Sequence, residues 1–327
     1  MTRRISDRGL SRIQEFFDAE VWPGYSPPPR PILLEKAKDA DALVTMLADK
    51  IDKELITSAN KLKIISQIAV GYDNIDLPEA TEKGVYVTNT PNVLTETTAD
   101  FAWALLMAVA RRVVEADKYV REGKWTVAWH PDMLTGRDIY GATIGIVGAG
   151  RIGQAVARRA KGFNMKILYY SRSAKLDMEK TLGAKRVELD QLLRESDFVS
   201  LHVALTKDTT RLINAEKIAL MRNTAYLINN SRGAVVDEKA MLEALKTGRI
   251  AGAALDVFEQ EPTSTTNPLL KLENIVVSPH ISSGSIETRA KMSEMIAENL
   301  ETFFTGQEPP NLVNTEVMKV RLPRKII

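Results

Sequence analysis

Short apolar runs alternate with polar, helix-compatible segments in the first third of the chain. DALVTML, KIISQIAV and VYVT, within residues 41–88, are rich in apolar and β-branched residues, and DKELITSAN and LPEATEKG lie between them. Alternation of this kind predicts βαβ units, which assemble into a parallel sheet. Residues 6–17, ahead of the first run, are expected to be helical.

The pattern changes over residues 94–121, which are dense in Ala, Leu, Met and Val and contain no Pro or Gly. We expect one long, largely buried helix there, joining two domains. A second and more regular alternation follows, with strand-like segments TIGIV, MKILYY, DFVSLHV, AYLINN, AALDV and NIVVSP. Six such strands suffice for a doubly wound sheet. The last helical segment, residues 285–305, is placed to return to the first domain.

The composition of the chain excludes several kinds of site and partner. The 327 residues are 44% apolar and 26% charged, with a formal net charge of +2 and no cysteine. Disulfides, thiolate nucleophiles and Cys-ligated metals are therefore excluded, and the three histidines lack the spacing of a local metal site. With no signal-like or membrane-spanning apolar stretch, we expect a cytoplasmic protein whose partners are neither nucleic acids nor membranes.

A glycine-rich motif follows the strand TIGIV and opens a helical segment: Gly148, Ala149, Gly150, Arg151, Ile152 and Gly153. Strand before and helix after is the context of a dinucleotide-binding fingerprint. The first glycine permits a tight turn, the second lets the backbone approach a pyrophosphate, and the third allows close packing of helix on sheet. The motif predicts a Rossmann dinucleotide-binding domain.

The choice of dinucleotide depends on the end of the next strand, where NAD enzymes usually carry an acidic residue. Here Ser171, Arg172 and Ser173 stand in that place. Arg172 can bind a 2′-phosphate that a carboxylate would repel, so the sequence favours NADP(H), with NAD(H) as the alternative. In the other interpretation Arg172 is a solvated charge stacked on adenine.

Three further segments end predicted strands of the second sheet: NNSRG, with Arg232; LDVFEQEP, with Glu261; and SPH, with His280. Ligands bind at this edge of open α/β sheets. Together with VGYDNID (residues 70–76), TPNVL (residues 90–94) and the glycine motif, they resemble the D-isomer-specific 2-hydroxyacid dehydrogenase family over nearly the whole chain. Segments YVREG, AWHP and KILYYSR are similar to the archaeal-type glyoxylate reductases within it.

The resemblance implies a mechanism. Arg232 would bind the substrate carboxylate and polarise its carbonyl, His280 would exchange a proton with the carbonyl oxygen, and Glu261 would orient and stabilise the imidazole. It implies a substrate-binding loop at Ala69, Val70 and Gly71. It places further cofactor-binding residues, besides His280 and the motifs above, at Thr98, His202, Ser231, Asp256 and Ser283.

The expected fold is α/β, with a flavodoxin-like substrate domain and a Rossmann domain separated by an interdomain cleft. Residues 1–96 and 286–327 would form the discontinuous substrate domain, and residues 97–285 the dinucleotide-binding domain. The apolar face of residues 101–114 exceeds what a linker helix needs, so we expect it to form a dimer interface together with an arm of residues 118–140. Family members usually open with an apolar strand, and only residues 1–5 precede the first helix here, so that strand looks truncated.

The resemblance further implies reduction of a small 2-oxoacid, glyoxylate and also hydroxypyruvate, to glycolate and D-glycerate. We expect the protein to be a homodimer. Met133 stands where glyoxylate reductases are expected to carry a bulky aromatic residue, which weakens the choice of substrate. The alternatives are a D-lactate or D-3-phosphoglycerate type dehydrogenase, and a non-catalytic, dinucleotide-sensing protein like the family's corepressors.

Overall fold

The structure of the protein, a computed structural model, describes residues 1–323. Residues 324–327, the end of the predicted segment 286–327, lie outside the described residues. The helices are α1 (Asp7–Phe16), α2 (Arg30–Asp39), α3 (Lys53–Ser58), α4 (Leu77–Glu82), α5 (Thr95–Ala110), α6 (Val113–Arg121), α7 (Arg151–Gly162), α8 (Leu176–Leu182), α9 (Leu189–Glu195), α10 (Ala215–Ile218), α11 (Glu238–Lys246) and α12 (Ile286–Phe304). The strands are β1 (Ala42–Thr45), β2 (Ile64–Gln67), β3 (Tyr86–Thr88), β4 (Thr143–Val147), β5 (Lys166–Tyr170), β6 (Lys185–Arg186), β7 (Phe198–Leu201), β8 (Tyr226–Asn229), β9 (Gly252–Leu255) and β10 (Ile275–Val277).

The chain divides into two units. Unit 1 is Met1–Leu94 together with the chain from Ser283 onward, and unit 2 is Thr95–Ser282. Strands β1, β2 and β3 of unit 1 form a parallel sheet in that order. Helix α12 packs on α1 and β2, while α3 packs on α2 and α4. The three strands predicted within residues 41–88 are confirmed.

Residues 1–5 form no strand. The amide of Thr2 donates to the carbonyl of Val44 (3.0 Å), and its hydroxyl donates to Asp49 Oδ2 (2.6 Å). One backbone hydrogen bond ties this segment to β1 without extending the ladder. The sheet of unit 1 therefore contains three strands within the described residues.

Unit 2 is built on a parallel sheet with the strand order β10-β9-β8-β7-β4-β5-β6. The six predicted strands are confirmed, and β6, with two residues, is an addition at the edge. The chain runs outward from β4 through β5 and β6, then returns to the other side of β4 with β7. This reversal places a topological switch point between β4 and β7, where open α/β sheets bind ligands.

Helices cover both faces of this sheet. Along β5, Ile167 and Tyr169 belong to the core beneath α5 and α7, whereas Leu168 belongs to the core beneath α9 and α11. Successive side chains of a strand point to opposite faces, so a strand buried on both sides reads as an unbroken apolar run. The doubly wound α/β fold predicted from these runs is confirmed.

The single long helix expected over residues 94–121 is wrong. Helix α5 ends at Ala110, Arg112 adopts a left-handed backbone (φ 54°), and α6 begins at Val113. The amide of Arg137, from a segment further along the chain, donates to the Ala110 carbonyl (2.9 Å). This tertiary hydrogen bond satisfies a carbonyl at the helix end, so the break needs no Gly or Pro in the sequence.

Candidate functional site

The glycine motif lies at the switch point, between β4 and α7. Gly148 has φ 97°, a left-handed conformation, and a Cβ built on it would lie 2.6 Å from the carbonyl oxygen of His202, just after β7. A Cβ on Gly153 would overlap the carbonyl oxygen of Gly148, whereas one on Gly150 would meet no heavy atom within 4 Å. Gly148 and Gly153 close the turn against its neighbours, and Gly150 leaves backbone open to a ligand. The residues present therefore fit a dinucleotide, with Arg151 and Ile152 in the first turn of α7.

Ser171, Arg172 and Ser173 form a turn directly after β5, and the side chain of Arg172 is exposed. Lys175 Nζ donates to Ser173 Oγ (3.0 Å). The guanidinium of Arg186, on β6, donates to the carbonyl oxygens of Ser171 and Arg172. Two cations, Lys175 and Arg186, thus contact the turn in addition to Arg172, which the sequence analysis identified.

His202 lies beside the glycine turn. Its ring Nε2 is 2.8 Å from Ser200 Oγ, and burial lowers the pKa of His202 to about 3. The ring is therefore neutral near pH 7 and contributes hydrogen bonding rather than charge.

His280 and Glu261 form the pair that the sequence predicted. His280 Nδ1 is 2.7 Å from Glu261 Oε2, and the amide of Phe258 donates to Glu261 Oε1 (3.0 Å). Burial raises the pKa of Glu261, but the hydrogen bond and charge of His280, the Phe258 amide and the charge of Arg232 outweigh it and lower the pKa below its ordinary value. The carboxylate is thus held ionised against Nδ1, which leaves Nε2 for a reacting group.

Asp256 holds the loop that carries His280. Its side chain is fully buried, and Oδ1 accepts from Ser278 Oγ (2.6 Å) and the amide of Ile281 (2.9 Å). Oδ2 accepts from the amide of Ser282 (2.8 Å) and from its hydroxyl. Each carboxylate oxygen thus has two partners within residues 278–282, and Asp256 has a structural role in this loop. Binding of the cofactor by Asp256 stays a prediction.

The turn that carries Arg232 is held by Asn229, which the sequence analysis did not single out. Asn229 Oδ1 accepts from the amide (3.1 Å) and hydroxyl (2.8 Å) of Ser231, and Nδ2 donates to the carbonyl of Arg232 (2.9 Å). Arg232 Nη1 donates to the carbonyl of Ser231 (2.9 Å). The buried amide side chain fixes the turn because it both accepts and donates within three residues.

Gly233 joins this turn to the segment that leads to Glu261. A Cβ on Gly233 would collide with the backbone of Phe258 and Glu259, so only glycine permits the approach. The Arg232 turn therefore lies beside the Glu261 segment, close enough for the charge of Arg232 to act on the Glu261 carboxylate. Since Glu261 also contacts His280, all three predicted catalytic residues lie in one region of unit 2.

The remaining predicted residues lie in separate places. Thr98 is buried in the first turns of α5, and its carbonyl accepts from Asn230 Nδ2 (3.1 Å). Ser283 belongs to unit 1 and precedes α12. Their contacts with a cofactor stay predictions.

The predicted substrate loop follows β2 in unit 1. The carbonyl of Ala69 accepts from the amide of Thr90 (2.9 Å), and that of Val70 accepts from Asn89 Nδ2 (2.8 Å). Because C=O and N–H of a trans peptide point in opposite directions, the amides of Val70 and Gly71 are turned away from these partners. Such oriented amides suit an anion.

Within the described part of the chain, no three acidic or histidine side chains converge as a metal site would require. No α-helix in residues 1–323 combines the length and apolar character of a bilayer span.

Residues 103–282 match the NAD binding domain of the D-isomer specific 2-hydroxyacid dehydrogenases. A glyoxylate reductase of Korarchaeum cryptofilum is 62% identical over 323 residues, covering 99% of this chain and 97% of that protein. A crystal structure of a Thermus thermophilus protein has a TM-score of 0.90 at 45% identity, covering 95% and 98% of the two chains. An NADPH-dependent glyoxylate/hydroxypyruvate reductase of Sinorhizobium meliloti, in complex with NADP and malonate, has a TM-score of 0.86 at 33% identity, covering 99% and 98%. The resemblance in the sequence is thus confirmed, and the chain belongs to the D-isomer-specific 2-hydroxyacid dehydrogenases, which are NAD(P)-dependent oxidoreductases.

Proposed function

We propose that the protein reduces glyoxylate, and also hydroxypyruvate, to glycolate and D-glycerate. The observation that carries the chemistry is the 2.7 Å contact between His280 Nδ1 and Glu261, which leaves Nε2 as a proton donor. The choice of substrate rests on relatives that are named glyoxylate reductase and that match this chain over almost their full length. The relative from Korarchaeum cryptofilum is one of them.

Each step has a residue suited to it. Arg232 binds the substrate carboxylate with its planar, permanently charged fork. His280 gives a proton from Nε2 to the carbonyl oxygen, and Glu261 stabilises the positive imidazole from the Nδ1 side. The nicotinamide, when bound, supplies the hydride. In the oxidation direction His280 takes the proton back.

We further propose a preference for NADP(H) over NAD(H). Arg172 stands exposed at the turn where NAD enzymes carry a carboxylate, and Lys175 and Arg186 add positive charge there. A 2′-phosphate needs such charge, and a free 2′-hydroxyl does not.

The two units suit a division of labour. We assign dinucleotide binding to residues 97–285 and substrate binding to residues 1–96 and 286–327, because the glycine motif lies in unit 2 and the oriented loop amides in unit 1. A cytoplasmic location, as expected from the sequence, stays a prediction.

We also propose a homodimer. Large apolar side chains are exposed over α5, α6 and the segment after them: Met107, Val113, Val114, Val120, Trp125, Val127, Trp129 and Tyr140. Monomers rarely expose so much apolar surface to water. A two-fold interface would bury this surface on both subunits at once. Light scattering at micromolar concentration should give twice the chain mass, and a monomer mass would contradict the proposal.

Initial rates of NADPH and NADH oxidation with glyoxylate, hydroxypyruvate and pyruvate test the activity. We expect the highest kcat/KM with NADPH and glyoxylate or hydroxypyruvate. His280→Ala should lower kcat by about 10²- to 10⁴-fold with an unchanged Kd for NADPH. A folded sample that binds dinucleotide but reduces no 2-oxoacid would instead favour the sensing protein.

A further inference from the structure

Arg186 lies at the edge of the large sheet, outside every motif of the sequence. In strand β6 it pairs with Tyr169 of β5, two residues before Ser171. Its Nε and Nη2 donate to the carbonyl oxygen of Ser171 (3.1 and 2.9 Å), and Nη2 also donates to that of Arg172 (3.1 Å). One side chain thus binds two successive carbonyls of the turn proposed to hold the 2′-phosphate.

The direction of these carbonyls determines the direction of two amides. The peptide bonds that follow Ser171 and Arg172 are trans, and in a trans peptide the N–H points opposite to the C=O. The amides of Arg172 and Ser173 therefore point away from Arg186. Within residues 1–323, no backbone carbonyl accepts either amide. Successive N–H groups of this kind form a concave anion-binding site.

The charge of Arg186 acts in the same sense. The guanidinium offsets the partial negative charge of the two carbonyl oxygens that it binds, and its own positive charge attracts a phosphate. The far end of the turn is also held, because the Tyr169 hydroxyl accepts from the amide of Lys175 (2.8 Å). The carboxylate of Glu179 accepts from that same hydroxyl.

We propose that Arg186 is a positioning residue for cofactor selection: by binding the carbonyls of Ser171 and Arg172, it directs the amides of Arg172 and Ser173 at the 2′-phosphate of NADP(H). This inference rests on the proposed NADP(H) preference. An arginine is needed because its fork reaches both carbonyls, whereas a lysine is a point donor.

The test compares Kd values of 2′,5′-ADP, 5′-AMP, NADPH and NADH in the full-length protein and three variants. Arg186→Ala should raise Kd for 2′,5′-ADP and NADPH about tenfold, as for the loss of one hydrogen bond to a charged group. Its Kd for 5′-AMP and NADH should change less than about twofold. Lys185→Ala, the matched control, removes an exposed charge from the neighbouring position of β6 and should leave all four values within about twofold. Arg186→Lys, which keeps the charge, should recover only part of the loss.

Backbone ¹⁵N relaxation gives a readout of local order without ligand. In Arg186→Ala the amide order parameters of Arg172 and Ser173 should fall below the wild-type values, with an unchanged unfolding temperature.

The outcomes separate the two proposals. Equal wild-type affinity for NADPH and NADH would refute the NADP(H) preference and the role of Arg186 together. A wild type that prefers NADPH, with Arg186→Ala no weaker than Lys185→Ala, would refute the role of Arg186 alone. Full recovery in Arg186→Lys would also refute it, because charge alone would then suffice.

Discussion

Replacing Gly233 with alanine tests the contact that brings the Arg232 turn to the Glu261 segment. A Cβ at this position would lie 1.8 Å from the carbonyl carbon of Phe258, where ordinary contact begins at 3.4 Å. The two backbones must therefore separate by about 1.6 Å, the difference between those two distances. A misplacement of about 1 Å at a catalytic group can cost on the order of 100-fold in rate. Overpacking a dense site costs about 1–3 kcal/mol of stability.

We therefore expect Gly233→Ala to lower kcat/KM for glyoxylate by about 100-fold or more. Initial rates and urea unfolding measure the two effects separately. The matched control is Gly162→Ala, at the end of α7, where a Cβ would meet nothing within 4 Å. It should keep full activity and gain about 0.4–1 kcal/mol, because alanine restricts the unfolded chain. A fully active Gly233→Ala enzyme of unchanged stability would refute the argument.

Two further substitutions test the groups around His280. Glu261→Gln should lower kcat/KM by about 10²-fold or more, because a neutral amide stabilises the positive imidazole poorly. Because the pKa of Glu261 is lowered in the folded state, its contribution to stability is full above the ordinary glutamate value of 4.5 and is lost as the pH falls below that value. The difference in unfolding temperature between wild type and Glu261→Gln should therefore shrink on acidification, and a difference that grows would contradict the lowered pKa. Asp256→Asn places an amide NH₂ against donors such as Ser282 or Ile281, so it should cost about 1–3 kcal/mol in urea unfolding. Weaker NADPH binding at unchanged stability would show instead that Asp256 acts on the cofactor.

Features with a local physical cause could be predicted from the sequence. The inner strands of the sheet of unit 2 are largely buried, and their unbroken apolar runs reveal β4, β5, β7, β8 and β9. The glycine motif follows from backbone geometry, since Gly148 has a left-handed backbone and Gly153 packs against the turn. Helix α12 begins where Ser285 accepts from the Thr288 amide, a cap visible as a serine before a helical run.

The residues at the ends of strands were also predictable. Parallel strands present their carboxyl ends at one edge of the sheet, so Arg232, Glu261 and His280, each just beyond a strand of unit 2, were expected near one another. The family resemblance supplied their roles.

Only the tertiary structure decided the features that depend on residues far apart in the chain. The break at Arg112 depends on a hydrogen bond from the amide of Arg137 to the carbonyl of Ala110, the last residue of α5. The support of the Ser171 turn depends on Arg186, in a strand too short to show a period. The four hydrogen bonds of Asp256 and the approach of Gly233 to Phe258 likewise join separate strands. Apolar periodicity shows which face of a helix or strand is buried. It does not show which distant residue contacts a given backbone atom, and those contacts position the catalytic side chains.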